Sequence, residues 1–407
     1  MAAAAFSGGL PKTHRKSEIS VSQSRSLPLT SSPAHRTPHR GSHPIQKLLP
    51  HLFNTLQPKP TLSPEIAFYR QLEMQLVLAY KNFAANRAVS HIGLGVTALN
   101  AAKSMRAAGI QADVWPIVNA GELRSRLQNT GATHVVVSAP WIQTPDLAQL
   151  CADFPETRFA VNCHSNLGFL QADPGALRLV REGIELARCN WNFQIAANCE
   201  RLARWVESAY SAPCLCLPNI YHLGDAKPPK RQPYNGGTLR IGAFGATRAL
   251  KNLLTAAGAA VEIANARRAD LEFWISSGRN EGAGPVIDAV RQMMHGLPHV
   301  KLIENGWQTW PQFRQTVRHM HLLLQPSYTE SFNVVTADGV AEGVPSVVSD
   351  AIEWAPESWK AGVDDAGHIA TVGLRLLAAR NAPKQGWAAL NRHNRTAFNY
   401  WRTFLEA

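Results

Sequence analysis

The chain has 407 residues, 45% of them apolar and 17% charged, which suits about two to three domains with full cores. Residues 1–60 hold eight Lys/Arg and one Glu. The other residues then carry 33 basic against 28 acidic groups, too even a balance for a body shaped to neutralise a phosphate backbone. A membrane span is excluded as well, because no run reaches ~18 apolar residues and Leu76-Val77-Leu78-Ala79-Tyr80 is soon followed by Lys81 and Asn82.

Up to about Pro60 the sequence is rich in Ser, Pro, His and Arg and shows no period, which predicts a disordered basic tail. Its composition also resembles an organelle transit peptide, and an unremoved linker or a misplaced start codon would look the same. Lys12, Arg15 and Lys16 stand where a secretory signal would be apolar. Ser63-Pro64-Glu65 has the chemistry of a helix start, so a helix is expected from there to about Ala85.

Short β-rich runs then recur at Val89–Ile92, Ala112–Trp115, His134–Val137, Phe159–Asn162, Trp191–Ile195 and Cys214–Leu217, separated by helical stretches such as Ala98–Ala108 and Glu200–Tyr210. This alternation specifies βαβ units and a parallel sheet. The six cysteines all fall between Cys151 and Cys216. A chain of this length needs no disulfide staples, so reduced thiols and a cytoplasmic protein are expected. Cys214 and Cys216, with Cys199 and His164 upstream, lack the paired spacing of a zinc site.

Lys227-Pro228-Pro229-Lys230, Pro233 and Gly236-Gly237 mark 223–238 as a linker. A second series follows, with strands at Leu239–Phe244, Leu271–Ile275, Val300–Ile303, Leu322–Gln325 and Ser346–Val348. Helices Ile369–Arg380 and Gln385–Leu405 close the chain, and Asp364-Asp365 reads as a helix cap. The expected division is a tail (1–60), a Rossmann-like domain (61–222), the linker, a second Rossmann-like domain (239–384) and a closing helix (385–407). Ligands of open α/β sheets sit at the carboxyl ends of the strands, which makes the cleft between the two domains the expected site.

Gln325 to Asp350 reads as strand, polar turn, three-turn helix stopped by Gly343 and Pro345, and strand. Glu330 stands at the helix entrance beside free amides that suit a phosphate or a sugar hydroxyl. Asp338 follows eight residues on, ~12 Å along a helix axis, so two carboxylates can grip separate parts of one extended ligand, as a nucleotide sugar requires. Arg248 and Lys251, three apart after Gly242 and Gly245, can face one anion.

Glu330 to Asp338 and the following Gly343-Val344-Pro345-Ser346-Val347-Val348-Ser349 resemble the signature of family 4 glycosyltransferases of the GT-B fold. The resemblance runs over about residues 89–405 and is strongest in the second half. It implies two Rossmann-like domains facing each other across a cleft. It also implies roles for single residues: Glu330 for the donor sugar, the amides of Ser331, Phe332 and Asn333 with Arg248 and Lys251 for the diphosphate, and Asp338 for the ribose. Gly278, Gly306 and Trp307 would line the nucleotide pocket, with Trp310 near the base. Gly93 and Gly95 would form a glycine loop after a first strand. His164, at the end of another strand, would orient the acceptor or carry its proton. The chain departs from the family pattern with Asp rather than Glu at 338 and with Asn333 where glycine is commoner.

The expected activity is retaining transfer of a hexose from a nucleoside diphosphate sugar to a glycan, lipid or small-molecule hydroxyl, without metal or other cofactor. Position 98 is Ala, so the GxGxxG fingerprint of a dinucleotide site is missing. A nucleic-acid partner is not expected, and peripheral membrane contact stays open. The alternatives are a nucleotide-sugar epimerase or hydrolase on the same fold, or a non-catalytic sugar-nucleotide or nucleic-acid-associated binding protein using the basic tail.

Overall fold

The computed structural model describes residues 74–82, 91–224, 226–230, 234–278 and 284–406. The expected tail and the expected helix start at Ser63-Pro64-Glu65 lie outside them.

The first sheet is built from β1 (Gln75–Lys81), β2 (Gln111–Ile117), β3 (His134–Ser138), β4 (Arg158–Cys163), β5 (Phe193–Ala197) and β6 (Leu215–Cys216). All its pairings are parallel, in the order β2-β1-β3-β4-β5-β6. The crossovers are α1 (His91–Ala107), α2 (Ala120–Leu127), α3 (Thr144–Asp153), α4 (Leu167–Leu170) with α5 (Pro174–Cys189), and α6 (Glu200–Tyr210).

Two expectations fail here. Gln75–Lys81 is a strand, where a helix was expected to run to about Ala85. Leu76, Val77, Leu78 and Ala79 are all buried, in a strand paired on both sides and covered on both faces. Such a strand reads as a continuous apolar run, which periodicity alone does not separate from a buried helix. The expected strand Val89–Ile92 fails too, since His91 and Ile92 begin α1, while Val89 and Ser90 lie outside the described residues.

The second sheet contains β7 (Leu239–Ala243), β8 (Leu271–Ser276), β9 (Val300–Asn305), β10 (Leu322–Gln325) and β11 (Ser346–Val348), in the order β11-β10-β7-β8-β9. Its helices are α7 (Leu253–Arg267), α8 (Gly284–Met294), α9 (Trp310–Arg318), α10 (Val334–Glu342) and α11 (Ala366–Ala378). Gly343, at φ 77°, ends α10 in the left-handed conformation. Asp365 caps α11 by accepting from the His368 amide at 2.8 Å. The chain runs outward from β7 through β8 to β9, then returns past β7 to β10. The carboxyl ends of β7 and β10 therefore open a crevice at a topological switch point.

The last helix, α12 (Ala382–Leu405), is shared by both halves. Ala382 and Leu390 pack in the core of the second sheet, whereas Ala397, Trp401, Phe404 and Leu405 pack against the first. Between those ends it grips the junction: Trp401 Nε1 donates to Pro218 O at 2.8 Å, and His393 Nε2 lies 2.8 Å from Asn219 O. Among the described residues no helix is long and apolar enough to cross a membrane.

Candidate active site

Two loops meet at the switch point. After β7 the chain passes Gly245, at φ 123°, and a short 3-10 turn (Ala249–Lys251). After β10 it runs from Pro326 to Asn333 before α10 begins. Asn252 ties the loops together, its Nδ2 donating to Pro326 O at 3.2 Å and to Val363 O at 2.6 Å. This anchorage brings Lys251 Nζ into an ion pair with Glu330 Oε1. Glu330 is buried and precedes the helix rather than standing in its first turn; Asn333 occupies the cap.

Asn333 explains its own departure from the family pattern. Its φ of 65° lies in the left-handed region that glycine favours and that asparagine tolerates. Its side chain then does what glycine lacks: Oδ1 accepts from Thr336 N at 2.8 Å, while Nδ2 donates to Glu330 Oε1 at 2.9 Å and Gln325 Oε1 at 3.1 Å.

The first half closes on this loop from the other side. Asn166 Nδ2 donates to Glu330 O at 3.1 Å, and Arg201 Nη2 donates to the same carbonyl at 2.9 Å and to Ala351 O at 2.7 Å. Ser331 Oγ donates to His164 O at 3.1 Å and accepts from Asn198 Nδ2 at 3.0 Å. His164 is thus brought against the signature loop, and burial pushes its imidazole down to about 4, so the ring is neutral at pH 7. In that state it has acceptor capacity and no ionic charge. Arg248 and Lys251 both lie over the Phe169 ring, at 4.8 and 5.8 Å from its centroid, so the two cations do face one place. The ring of Phe332, whose amide was the group expected at the diphosphate, packs against Trp354 and His393.

Beside this cluster is a cavity of about 160 Å³, lined by Gly93 and Val96 of α1 and by Gly245, Ser276, Gly278, Gly306, Trp307, Trp310 and Asp338 of the second half. The glycine loop expected at Gly93 and Gly95 is instead part of α1. Gly93 still reaches the cavity, while Gly95 packs on the Tyr80 ring, where an added Cβ would sit 3.1 Å from it.

Gly278 touches backbone directly: a Cβ there would lie 2.5 Å from Trp307 N and 2.8 Å from Gly306 C. Those atoms cannot swing aside as a side chain does. Gly278→Ala is therefore expected to shift the 306–307 wall, and the nucleotide binding that the sequence resemblance implies there should weaken ~10-fold, about 1.4 kcal/mol. Calorimetric titration checks this, and unchanged affinity would show that the wall is not part of the site.

Asp338 lies at the cavity's edge with 1% exposure. Its Oδ1 accepts from Tyr221 Oη at 2.6 Å and from Trp310 Nε1 at 2.9 Å. Burial pushes its carboxyl up to about 7, outweighing the two donors, which act the other way. One oxygen is thus already committed to two protein donors. Sequence reasoning missed Asn166, Phe169, Asn198 and Arg201, whose contacts with Glu330, Ser331, Arg248 and Lys251 exist only across the cleft. Their one local signal was their position just after β4 and β5.

All six cysteines are free, and burial pushes the thiols of Cys163, Cys214 and Cys216 up to about 12. Among the described residues no group of three or more His, Cys, Asp or Glu side chains is placed to hold a metal ion.

Residues 194–352, from β5 to just past β11, match the family described as family 4 glycosyltransferase in conflict systems. No curated protein matches the chain in sequence. Solved structures share its fold. A UDP-forming α,α-trehalose-phosphate synthase from Burkholderia xenovorans is 12% identical with a TM-score of 0.52, covering 82% of this chain and 99% of that one. A sucrose-phosphate synthase from Thermosynechococcus elongatus is 13% identical with a TM-score of 0.52, covering 81% and 96%. The N-terminal domain of a Candida albicans trehalose-6-phosphate phosphatase is 10% identical with a TM-score of 0.55, again covering 81% and 96%. Staphylococcus aureus TarM matches less well, with a TM-score of 0.49, and the chain spans 55% of its length. The chain thus has the GT-B fold of these structures, and its segment 194–352 is similar to family 4 glycosyltransferases.

Proposed function

We propose that the protein transfers a hexose, with retention, from a nucleoside diphosphate sugar to a hydroxyl of a glycan, lipid or small-molecule acceptor, and that it needs no metal ion. The observation that carries this reading is the continuity of two features. The cavity closed by Gly278, Trp307 and Asp338 suits a nucleoside, and Gly245 connects it to the loop that holds Arg248 and Lys251 beside Glu330.

In this scheme Asp338 Oδ2 takes a ribose hydroxyl and Glu330 takes donor-sugar hydroxyls. Arg248, Lys251 and the amides of Ser331, Phe332 and Asn333 stabilise the diphosphate as it departs. The two side-chain cations supply the charge that a metal ion supplies elsewhere. The neutral His164 imidazole serves to orient the acceptor hydroxyl or take its proton. Across the cleft, His164, Asn166, Asn198 and Arg201 hold the Glu330–Ser331 peptide and keep water from the reacting centre. A cytoplasmic location completes the proposal.

The test is a set of thermal shifts with UDP, GDP, ADP and their sugars, followed by turnover assays with the donor that binds. A ligand at 100 times its dissociation constant adds about 2.7 kcal/mol of stability, a readily measured rise in Tm. No shift with any of them would overturn the reading. A shift without turnover on any acceptor, or hydrolysis alone, would favour the binding-protein or hydrolase alternatives.

A further inference from the structure

Tyr221 belongs to the segment that leads from the first sheet to the second, yet it is almost wholly buried and its phenol reaches the cavity's acid. Its main chain is pinned on both sides by one residue of α12: Tyr221 N donates to Asn394 Oδ1 at 3.0 Å, and Asn394 Nδ2 donates to Tyr221 O at 2.7 Å. With the backbone fixed, the phenol has little freedom to move, and the 2.6 Å bond to Asp338 Oδ1 sets where Oδ2 points. Trp310, whose indole donates to the same oxygen, packs edge-on against the Tyr221 ring at 6.4 Å between centroids.

We propose that Tyr221 is a positioning residue for nucleotide binding: its phenol, by donating to Oδ1, favours the ionised form of Asp338, aims the carboxylate at the ribose and ties that acid to the crossing helix. This rests on the reading of the cavity as a nucleoside site. Tyr221 does not line that cavity, so it acts through Asp338.

Among the described residues, the charged and titratable groups around Asp338 are these. Arg314 of α9 favours its ionised form, Glu342 of α10 opposes it, and Arg314 and Arg318 both pair with Glu342. Lys103 of α1 lies 5.9 Å from the Trp310 ring. Burial already raises the Asp338 carboxyl, and the phenol counteracts that rise. Removing the hydroxyl should therefore leave Asp338 protonated up to a higher pH. The charge-assisted bond to the ribose would be lost near neutrality and recovered in alkali.

The experiment measures binding of UDP, GDP and ADP between pH 6 and 9 to wild type, Tyr221→Phe and Asn394→Ala, by calorimetry in two buffers of different ionisation heat. The ligand's own protons cancel between variants. Tyr221→Phe should bind the preferred nucleotide ~5-fold more weakly at pH 7 and within ~2-fold of wild type at pH 9, with proton release on binding displaced to higher pH. Asn394→Ala, which loosens the backbone pin and keeps the phenol, should move in the same direction by less, and it decides the matter if Tyr221→Phe does not fold. A uniform loss of affinity at all pH values, or profiles that superimpose on the wild type, would overturn the positioning role and leave the nucleoside site standing. Failure of all three nucleotides to bind the wild type would overturn both.

Discussion

Glu330→Gln is expected to lower turnover by ~10²-fold or more and to change nucleoside diphosphate affinity by less than ~3-fold. The expectation follows from how the carboxylate is held. Oε1 is bound by Lys251 Nζ and by Asn333 Nδ2, so the side chain is fixed before a substrate arrives, and the proposal gives Oε2 to the donor sugar. Glutamine keeps the shape and an acceptor oxygen but removes the charge. In the proposed transfer that charge would matter most in the transition state, when the anomeric carbon becomes cationic as the diphosphate leaves. Initial-rate kinetics on the true substrate pair, with calorimetric titration of the nucleotide, make the comparison. Wild-type turnover in the variant would remove Glu330 from the catalytic assignment even with the fold unchanged.

Lys251→Ala should cost about 2–4 kcal/mol of stability and also weaken donor diphosphate binding ~10-fold or more. The stability loss comes from the partner: the Glu330 side chain is 6% exposed and would keep a buried charge without its counter-ion. The lower end of the range reflects Lys251 itself, whose side chain is 22% exposed and partly solvated. Urea denaturation of the single variants and of Lys251→Ala/Glu330→Gln separates the pair from the rest. The double variant should be more stable than Lys251→Ala alone, because the unpaired charge is gone. Equal stability of wild type and Lys251→Ala would mean that the ion pair contributes nothing measurable.

Much of the architecture was legible from periodicity. Short β-branched runs separated by helical stretches led to two parallel sheets, because a parallel strand needs a crossover and the chain supplied one between each pair. The failures lie where local pattern is ambiguous. Gln75–Lys81 is buried on both faces, so it has neither the alternation of a half-exposed strand nor a helix's polar face. The Gly-x-Gly at 93–95 lies inside α1, where both glycines serve as small helical positions rather than as a loop.

In the site, the second half was legible because its residues are close in sequence: Glu330, Asn333 and Asp338 come from one loop and one helix. The sequence by itself determined the two-sheet class and the nearness in the chain of the acids at 330 and 338 and of the cations at 248 and 251, all of which depend on spacing within one segment. Only the tertiary structure decided that Lys251 pairs with Glu330, that Tyr221 and Trp310 share one oxygen of Asp338, and that Asn166 and Arg201 meet at the Glu330 carbonyl. Those contacts join residues separated by 28 to 164 positions. Periodicity and capping act over a few residues, whereas these partners are chosen by how two sheets and a crossing helix pack, a choice made by the burial of whole faces.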